Sequence, residues 1–325
     1  MRTLYVVEQG AVLVVSAEQL HLRRGEQRRC VGQLPLLEAV MLLGMVQMTT
    51  QAVRACLRHN IPLAYLSRSG WCYGRTLPVG WGSGVCYVAQ RQTALAWQVQ
   101  MAAVMVRAKI RNSRTVLLRH YRRYGIIGAE RVIDSLQWLA ERVGRCQTLD
   151  QVRGMEGAAA AIYFPALGEC LRGEGFVFVG RSRRPPANPV NALLSFGYQV
   201  LWNHVLLLVE LQGLDPRVGT LHTDHHGHLG LVSDLIEEFR ASLVDSLVLS
   251  LINTKEVRAE RDFEYRNGGC FLNDGGKRIF LQAWIRRMET KAGQGLRWEL
   301  LVQQVKQYRR AVLDMDYVYT PYQID

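Results

Sequence analysis

Residues 78–85 read PVGWGSGV, a stretch dense in the residues that punctuate regular structure, and the hydrophobic period changes across it. Upstream, residues 4–9 (LYVVEQ), 11–24 (AVLVVSAEQLHLRR) and 28–36 (RRCVGQLPL) carry β-branched and alternating apolar positions broken by Gly10, Gly25 and Gly32, the pattern of half-buried strands. A helix is predicted over 50–59, with Thr49 or Thr50 as its cap and Val53, Cys56 and Leu57 on one face. Strand character returns in IPLAYLS (61–67) and WCYGRTL (71–77), with SRSG as the turn between them.

Downstream, apolar residues recur at helical spacing. Helices are predicted over 91–124, ended by Gly125, over 129–142, and over 148–167, where Thr148 with Gln151 fits a capping box. Further helices are predicted over 190–212, over 231–252 with Val232, Leu235, Ile236, Phe239, Leu243, Leu247 and Leu251 on one stripe, and over 296–313. Residues 263–281 read as a hairpin insertion around NDGG at 273–276. The expected fold class is α+β: a small β-rich amino-terminal domain (1–80), a glycine-rich linker (81–90) and a larger all-α domain (91–325).

Composition narrows the function. Forty Lys and Arg against 28 Asp and Glu give a formal charge of +12, an excess that favours a polyanionic partner such as nucleic acid. Arg greatly outnumbers Lys, which suits bidentate phosphate contacts. Cysteines at 30, 56, 72, 86, 146, 170 and 270 are odd in number and contain no CxxC pair, so neither a disulfide framework nor a thiolate zinc site is indicated. Residues 1–15 are interrupted by Glu8 and Gln9 and lack a signal-peptide core, and the apolar run 205–209 is far too short to span a bilayer. The expectation is a soluble cytoplasmic protein with no membrane partner.

Within this basic chain, residues 219–240 (GTLHTDHHGHLGLVSDLIEEFR) form an acidic knot. They place His222 at the end of a loop and Asp234, Glu237 and Glu238 on the helix that follows; spacings of three and four put those acids on one side, opposite the apolar stripe. Imidazole nitrogen with carboxylate oxygen is a ligand set suited to Mn²⁺ or Mg²⁺. Acids in a first helical turn also complement the macrodipole, so the pattern alone leaves both readings open. In the 148–167 helix, Glu156 stands between Gly154 and Gly157, small residues that let a backbone or ligand come close. His225, His226 and His228 invite a zinc reading, but crowding supplies no fixed ligand spacing, and a solvated or phosphate-facing role fits them better. Basic clusters occur at Arg181, Arg183 and Arg184, along the 91–124 helix from Arg107 and Lys109 to Arg123, and from Arg286 to Arg310. Clusters of this kind track a phosphate backbone, although single members also suit a solvated helix face.

Several of these segments resemble one family. NPVNALLSFGYQVLWNHV (188–205), GLDPRVGTLH (213–222), SDLIEEFR (233–240) and MEGAAAAIYF (155–164) look like the signature segments of the CRISPR adaptation integrases ("Cas one"). LYVVEQGAVL, IPLAYLSRSGWCYGRT and RRPPANPVNALLSF resemble that family as well, so the likeness runs along almost the whole chain. His228 and Ala241 depart from it, where a basic residue and a proline are common. The resemblance implies an amino-terminal domain that helps form a homodimer and an α-helical catalytic domain. It implies a Mg²⁺- or Mn²⁺-dependent DNA endonuclease and integrase that inserts short double-stranded DNA fragments into a repeat array, working with a small companion subunit. On the matched motifs, Glu156, His222 and Glu237 would be the metal ligands and Asp234 the adjacent catalytic acid; Arg181, Arg183, Arg184 and Arg240 are the expected DNA contacts. The competing class is a non-enzymatic nucleic-acid-binding protein whose acids serve only as helix caps.

Overall fold

The computed structural model describes every residue except 1, 81, 126–129, 223–227, 294 and 325. The chain divides into two compact units, Met1–Trp81 and Gly82–Asp325.

The first unit consists of strands β1 (Thr3–Val6), β2 (Val12–Ser16), β3 (Gln19–Arg24), β4 (Gln27–Gln33), β5 (Ala39–Leu43), β6 (Gln47–Met48), β7 (Leu63–Leu66) and β8 (Cys72–Thr76), with helix α1 (Thr50–Arg58) between β6 and β7. They form two four-stranded sheets, ordered β1-β5-β7-β8 and β4-β3-β2-β6. β5 pairs parallel with both β1 and β7, and all five of its residues (AVMLL) are buried. A continuous apolar run is what a strand covered on both faces requires. The 11–24 stretch, expected as one piece of strand, is a hairpin: β2 and β3 pair antiparallel around Ala17 and Glu18, which both adopt positive φ (47° and 58°). The side chain of Thr49 accepts a hydrogen bond from the Ala52 amide at 3.3 Å and caps α1 as its sequence predicts. Leu13, Leu20, Leu22, Val40, Leu42 and Leu63 belong to the core that the two sheets and α1 enclose.

The second unit is mainly helical: α2 (Gly84–Arg91), α3 (Leu95–Tyr124), α4 (Glu130–Val143), α5 (Leu149–Glu169), α6 (Pro189–Leu211), α7 (Gly230–Phe239), α8 (Ser246–Asn253), α9 (Asp274–Met288) and α10 (Arg297–Leu313), with short strands β9 (Phe263–Arg266), β10 (Gly269–Leu272), β11 (Lys291–Ala292) and β12 (Gly295–Leu296). Most of the 81–90 stretch expected as a linker is therefore helix, because Ser83 caps α2 by accepting from the Cys86 amide. The hairpin near 263 also differs from its sequence reading. Its turn is Asn267–Gly268, both at positive φ, the dipeptide a two-residue hairpin turn favours. NDGG instead starts α9, with Asn273 Oδ1 accepting from the Gly276 amide at 3.0 Å. The predicted single helix over 231–252 is interrupted by a π-helical stretch, Arg240–Asp245, between α7 and α8.

α6 is long and apolar enough to cross a membrane, a length the sequence reading passed over, yet 83% of that window is buried inside the protein. It is a core helix. α7 packs beside it, and every α7 residue is buried, its acids included. The acids that helical spacing sets opposite the apolar stripe are thus enclosed as fully as the stripe itself.

Candidate active site

Asp234 organises the region. It is 1% exposed, and its carboxylate accepts from three successive backbone amides, Thr220 at 2.5 Å, Leu221 at 3.0 Å and His222 at 3.0 Å. Its Oδ1 also lies 2.6 Å from His222 Nδ1. With Nδ1–H donating to Asp234, the lone pair of His222 resides on Nε2. The loop comes this close because two glycines meet: a Cβ at Gly219 would fall 2.7 Å from the Gly230 carbonyl carbon and 2.8 Å from Asp234 Oδ2. Asp234 is thus a buried clamp on the 220–222 segment, oriented away from the role of direct ligand.

Glu156 on α5 and Glu237 on α7 are joined through one cation. Lys109 of α3 forms an ion pair with Glu156 Oε1, and its Nζ lies 2.6 Å from Glu237 Oε2. Glu237 Oε2 is thus buried against the Lys109 ammonium. The other oxygen, Oε1, accepts from Arg240 Nη1 at 2.6 Å. Burial favours the neutral acid at Glu237, but Arg240 and Lys109 outweigh it and hold the carboxyl down at about 2. At His222 burial opposes the proton, while the hydrogen bond and charge of Asp234, then Glu237 and Glu156, raise its pKa above the ordinary value. His222 is thus within the field of both glutamates. Glu156 of α5 and Glu237 of α7 come together at Lys109, and His222 of the 219–222 loop feels the charge of both. Among the described residues, no three His, Cys, Asp or Glu side chains form a ready-made metal cage, and Lys109 occupies the space between the two carboxylates.

Glu238 does not share this site. Its carboxylate accepts from Tyr319 Oη at 2.6 Å and from the Tyr322 amide at 2.7 Å, and burial pushes it up to about 8. The helical spacing that grouped it with Asp234 and Glu237 is overridden by contacts to the carboxy-terminal segment.

Only two of the four expected DNA-contacting arginines face outward. Arg183 and Arg184 are exposed. Arg181 donates to Asn191 Oδ1 at 2.8 Å and Ser195 Oγ at 3.0 Å. Arg240, its side chain 12% exposed, pairs with Glu237 and covers the Tyr198 ring at 4.0 Å. Beneath it, Tyr163 and Tyr198 both donate to Asp245, at 2.8 and 2.5 Å. Arg240 and Arg181 are therefore internal supports of the centre, an arrangement that fits two guanidiniums flanking a buried tyrosine better than a phosphate-tracking surface.

His225 and His226 lie outside the described residues; His228 is exposed, its ring 5.8 Å from that of His222. Gly154 and Gly157 have no chain atom within 4 Å of where a Cβ would be, so close approach by another part of the described chain does not account for them. Three residues that hold α7 and the His222 loop in place have no sequence signal of their own. Lys109 stood in a basic run. Asn112, one turn along α3, donates to the Glu238 carbonyl at 2.7 Å. Arg153 donates to the Leu221 carbonyl at 2.8 Å and ties α5 to the His222 loop.

A family model described as "CRISPR associated protein Cas1" matches residues 4–286. A Cas4/Cas1 fusion of Rhodospirillum rubrum is 39% identical over 280 residues, 82% of this chain. The chain spans about half the length of that relative and of a second such fusion from Geobacter sulfurreducens, 47% and 52%. "CRISPR-associated endonuclease Cas1 2" of R. rubrum is 33% identical, with 97% of this chain and 96% of the relative covered. A solved Cas1 protein from Thermotoga maritima, 24% identical, shares the fold with a TM-score of 0.83 over 97% of each chain. The motifs, the two-unit architecture and these matches lead to one conclusion: the chain belongs to the Cas1 family.

Proposed function

We propose that the chain is a divalent-metal-dependent DNA endonuclease and integrase that joins short DNA fragments to a CRISPR repeat array, with Glu156, His222 and Glu237 holding Mg²⁺ or Mn²⁺. The observation that carries this reading is that Glu156 and Glu237 meet at Lys109 while Asp234 fixes the His222 ring within the field of both glutamates. Two carboxylates and one imidazole nitrogen fit a hard-to-borderline cation. When bound, such a cation polarises a phosphodiester and stabilises the departing oxygen.

The rest of the chemistry belongs to the chain. Asp234 fixes the His222 ring and leaves Nε2 as the donor atom. Arg240 pins one Glu237 oxygen and leaves the other turned toward Lys109. The ammonium of Lys109 neutralises the paired carboxylates until a cation enters, and its flexible stem allows it to withdraw. Gly154 and Gly157 leave exposed surface on α5, and the exposed Arg183 and Arg184 supply phosphate contacts. A 3′-hydroxyl attacking the phosphodiester gives joining, and water in its place gives cleavage.

The first unit serves as a homodimer surface in this reading. β8 is an edge strand, and Met45, Trp71, Tyr73 and Val79 are exposed apolar side chains of the same unit, a combination that calls for cover. A small companion subunit completes the assembly in the cytoplasm. The test is joining of a short duplex to a repeat-containing target with and without Mn²⁺, and with Glu156→Ala, alongside light scattering for the dimer. Metal-independent joining, or full activity in the variant, would contradict the proposal.

A further inference from the structure

The second unit contains a cavity of about 670 Å³ whose lining includes none of Glu156, His222 and Glu237, within the size range of small-molecule sites. Its polar wall is unusual. Four guanidiniums reach it, from Arg119, Arg123, Arg287 and Arg297, together with the serines Ser242, Ser246 and Ser250 of the π-helical stretch and α8. Among the described lining residues there is no Asp or Glu.

Arg287 donates to the Ser242 carbonyl at 2.8 Å and to Ser246 Oγ. Arg297 donates to Thr290 Oγ1 and to the Lys291 carbonyl at 3.3 Å. All four acceptors are neutral, and among the described residues neither arginine is in an ion pair. Burial, then the charge of Arg297, draws Arg287 down to about 10, with Tyr322 opposing. Arg287 and Arg297 line the same cavity; two guanidiniums in one partly desolvated wall raise the local positive potential, and a phosphate dianion relieves it with charge-assisted hydrogen bonds. The rest of the wall mixes the apolar and aromatic Val116, Leu249, Leu300, Ile324 and Tyr124 ring with His120, Asn253, Thr254 and Gln323. That surface suits a flat heterocycle and is wasted on an inorganic ion.

We propose that this cavity binds a nucleoside phosphate, with the phosphate between Arg287 and Arg297 and the base against the apolar wall. The proposal goes beyond the strand chemistry described above and does not depend on it. The phosphate belongs either to a free nucleotide or to the 5′ end of a strand; the chemistry is the same, and the binding experiment separates the two.

The experiment is equilibrium binding to the full chain in EDTA, which silences any metal-dependent site. The probes are adenosine 5′-monophosphate, adenosine, inorganic phosphate, a 5′-phosphorylated dinucleotide and a glutamate-rich hexapeptide. Adenosine 5′-monophosphate should bind at least about tenfold more tightly than adenosine or inorganic phosphate, since a charge-assisted hydrogen bond is lost with one and the base contact with the other. Arg287→Gln should weaken it by about tenfold or more. Arg287 also ties Ser242 and Ser246 together, so Arg297→Gln, with folding followed by circular dichroism, provides an independent arm and should show the same direction. A dinucleotide that competes and depends on its 5′-phosphate assigns the cavity to strand ends; one that does not compete assigns it to free nucleotides. The inference is overturned if the nucleotide fails to bind, if adenosine binds equally well, or if both substitutions leave affinity unchanged. Tighter binding of the peptide than of the nucleotide also overturns it, in favour of an acidic protein segment.

Discussion

Glu237 and Glu238 are neighbours on α7, and both are buried, yet the two sides of the helix treat them oppositely. On one side Arg240 and Lys109 outweigh the burial penalty and hold Glu237 at about 2. On the other, the donors are the neutral Tyr319 hydroxyl and Tyr322 amide, burial prevails, and Glu238 rises to about 8. Equal burial thus yields a permanent anion in one case and a nearly neutral acid in the other. The difference lies in the partners, and it divides α7 into a side that faces Lys109 and Arg240 and a side that anchors the carboxy-terminal segment.

That division can be broken or sharpened by substitution. The largest effect is expected on the cation side. Glu156→Ala or His222→Ala should remove Mn²⁺-dependent joining, a loss of several kcal/mol of transition-state stabilisation, while salt-sensitive DNA binding persists; gel-based joining and filter binding on the same preparations check this. Joining that survives either change would remove the residue from the centre. Asp234→Asn should have the next largest effect. It keeps the size of the side chain but loses the charge that fixes His222 and receives the loop amides, so metal affinity should drop by about 10- to 100-fold, as read by calorimetric titration. Unchanged affinity would mean that the His222 orientation does not matter.

Lys109→Met leaves Glu156 and Glu237 facing each other without their shared cation. Removing one member of a buried ion pair costs about 3 kcal/mol, so the variant should unfold at lower temperature in EDTA. Mn²⁺ should raise its Tm more than it raises that of the unaltered protein. An equal rise in both would show that Lys109 and the metal do not share a place.

The smallest effect concerns burial on its own. Burial draws His204 down to about 3, whereas an unfolded histidine titrates near 6.5. The unfolded chain therefore takes up the proton first. Stability from this residue is fully present above about pH 6.5 and is lost as pH falls toward 3. Denaturant midpoints at pH 7 and pH 5 should show that slope, and His204→Asn should flatten it; an unaltered slope would assign the acid sensitivity elsewhere.

Local rules were enough for much of this fold. The Thr49 and Thr148 caps act as their sequence predicts, with Thr148 accepting from the Gln151 amide at 3.3 Å. Helix α3 ends at Tyr124, just before Gly125. The misreadings occurred where two local signals competed. NDGG resembles a turn, but Asn-Gly at 267–268 is the better one, which leaves Asn273 to cap a helix. Residues 39–43 have no alternation to mark a strand, because β5 is buried on both faces. In the proposed site, Glu156, His222 and Glu237 are candidates from the sequence because each lies in a contiguous motif. Lys109 was not, since 47 positions separate it from Glu156 and nothing local distinguishes it from the arginines around it. The clamp made by Asp234 depends on Gly219 meeting Gly230, a tertiary contact that no periodicity records.

The most direct test compares the two neighbouring glutamates. Electron paramagnetic resonance can count the Mn²⁺ bound tightly by the unaltered chain, Glu237→Gln and Glu238→Gln. A bound ion is expected in the unaltered chain and in Glu238→Gln, and its loss in Glu237→Gln. Equal Mn²⁺ binding by the two variants, or loss only in Glu238→Gln, would contradict the assignment of the metal to the Glu237 side of α7.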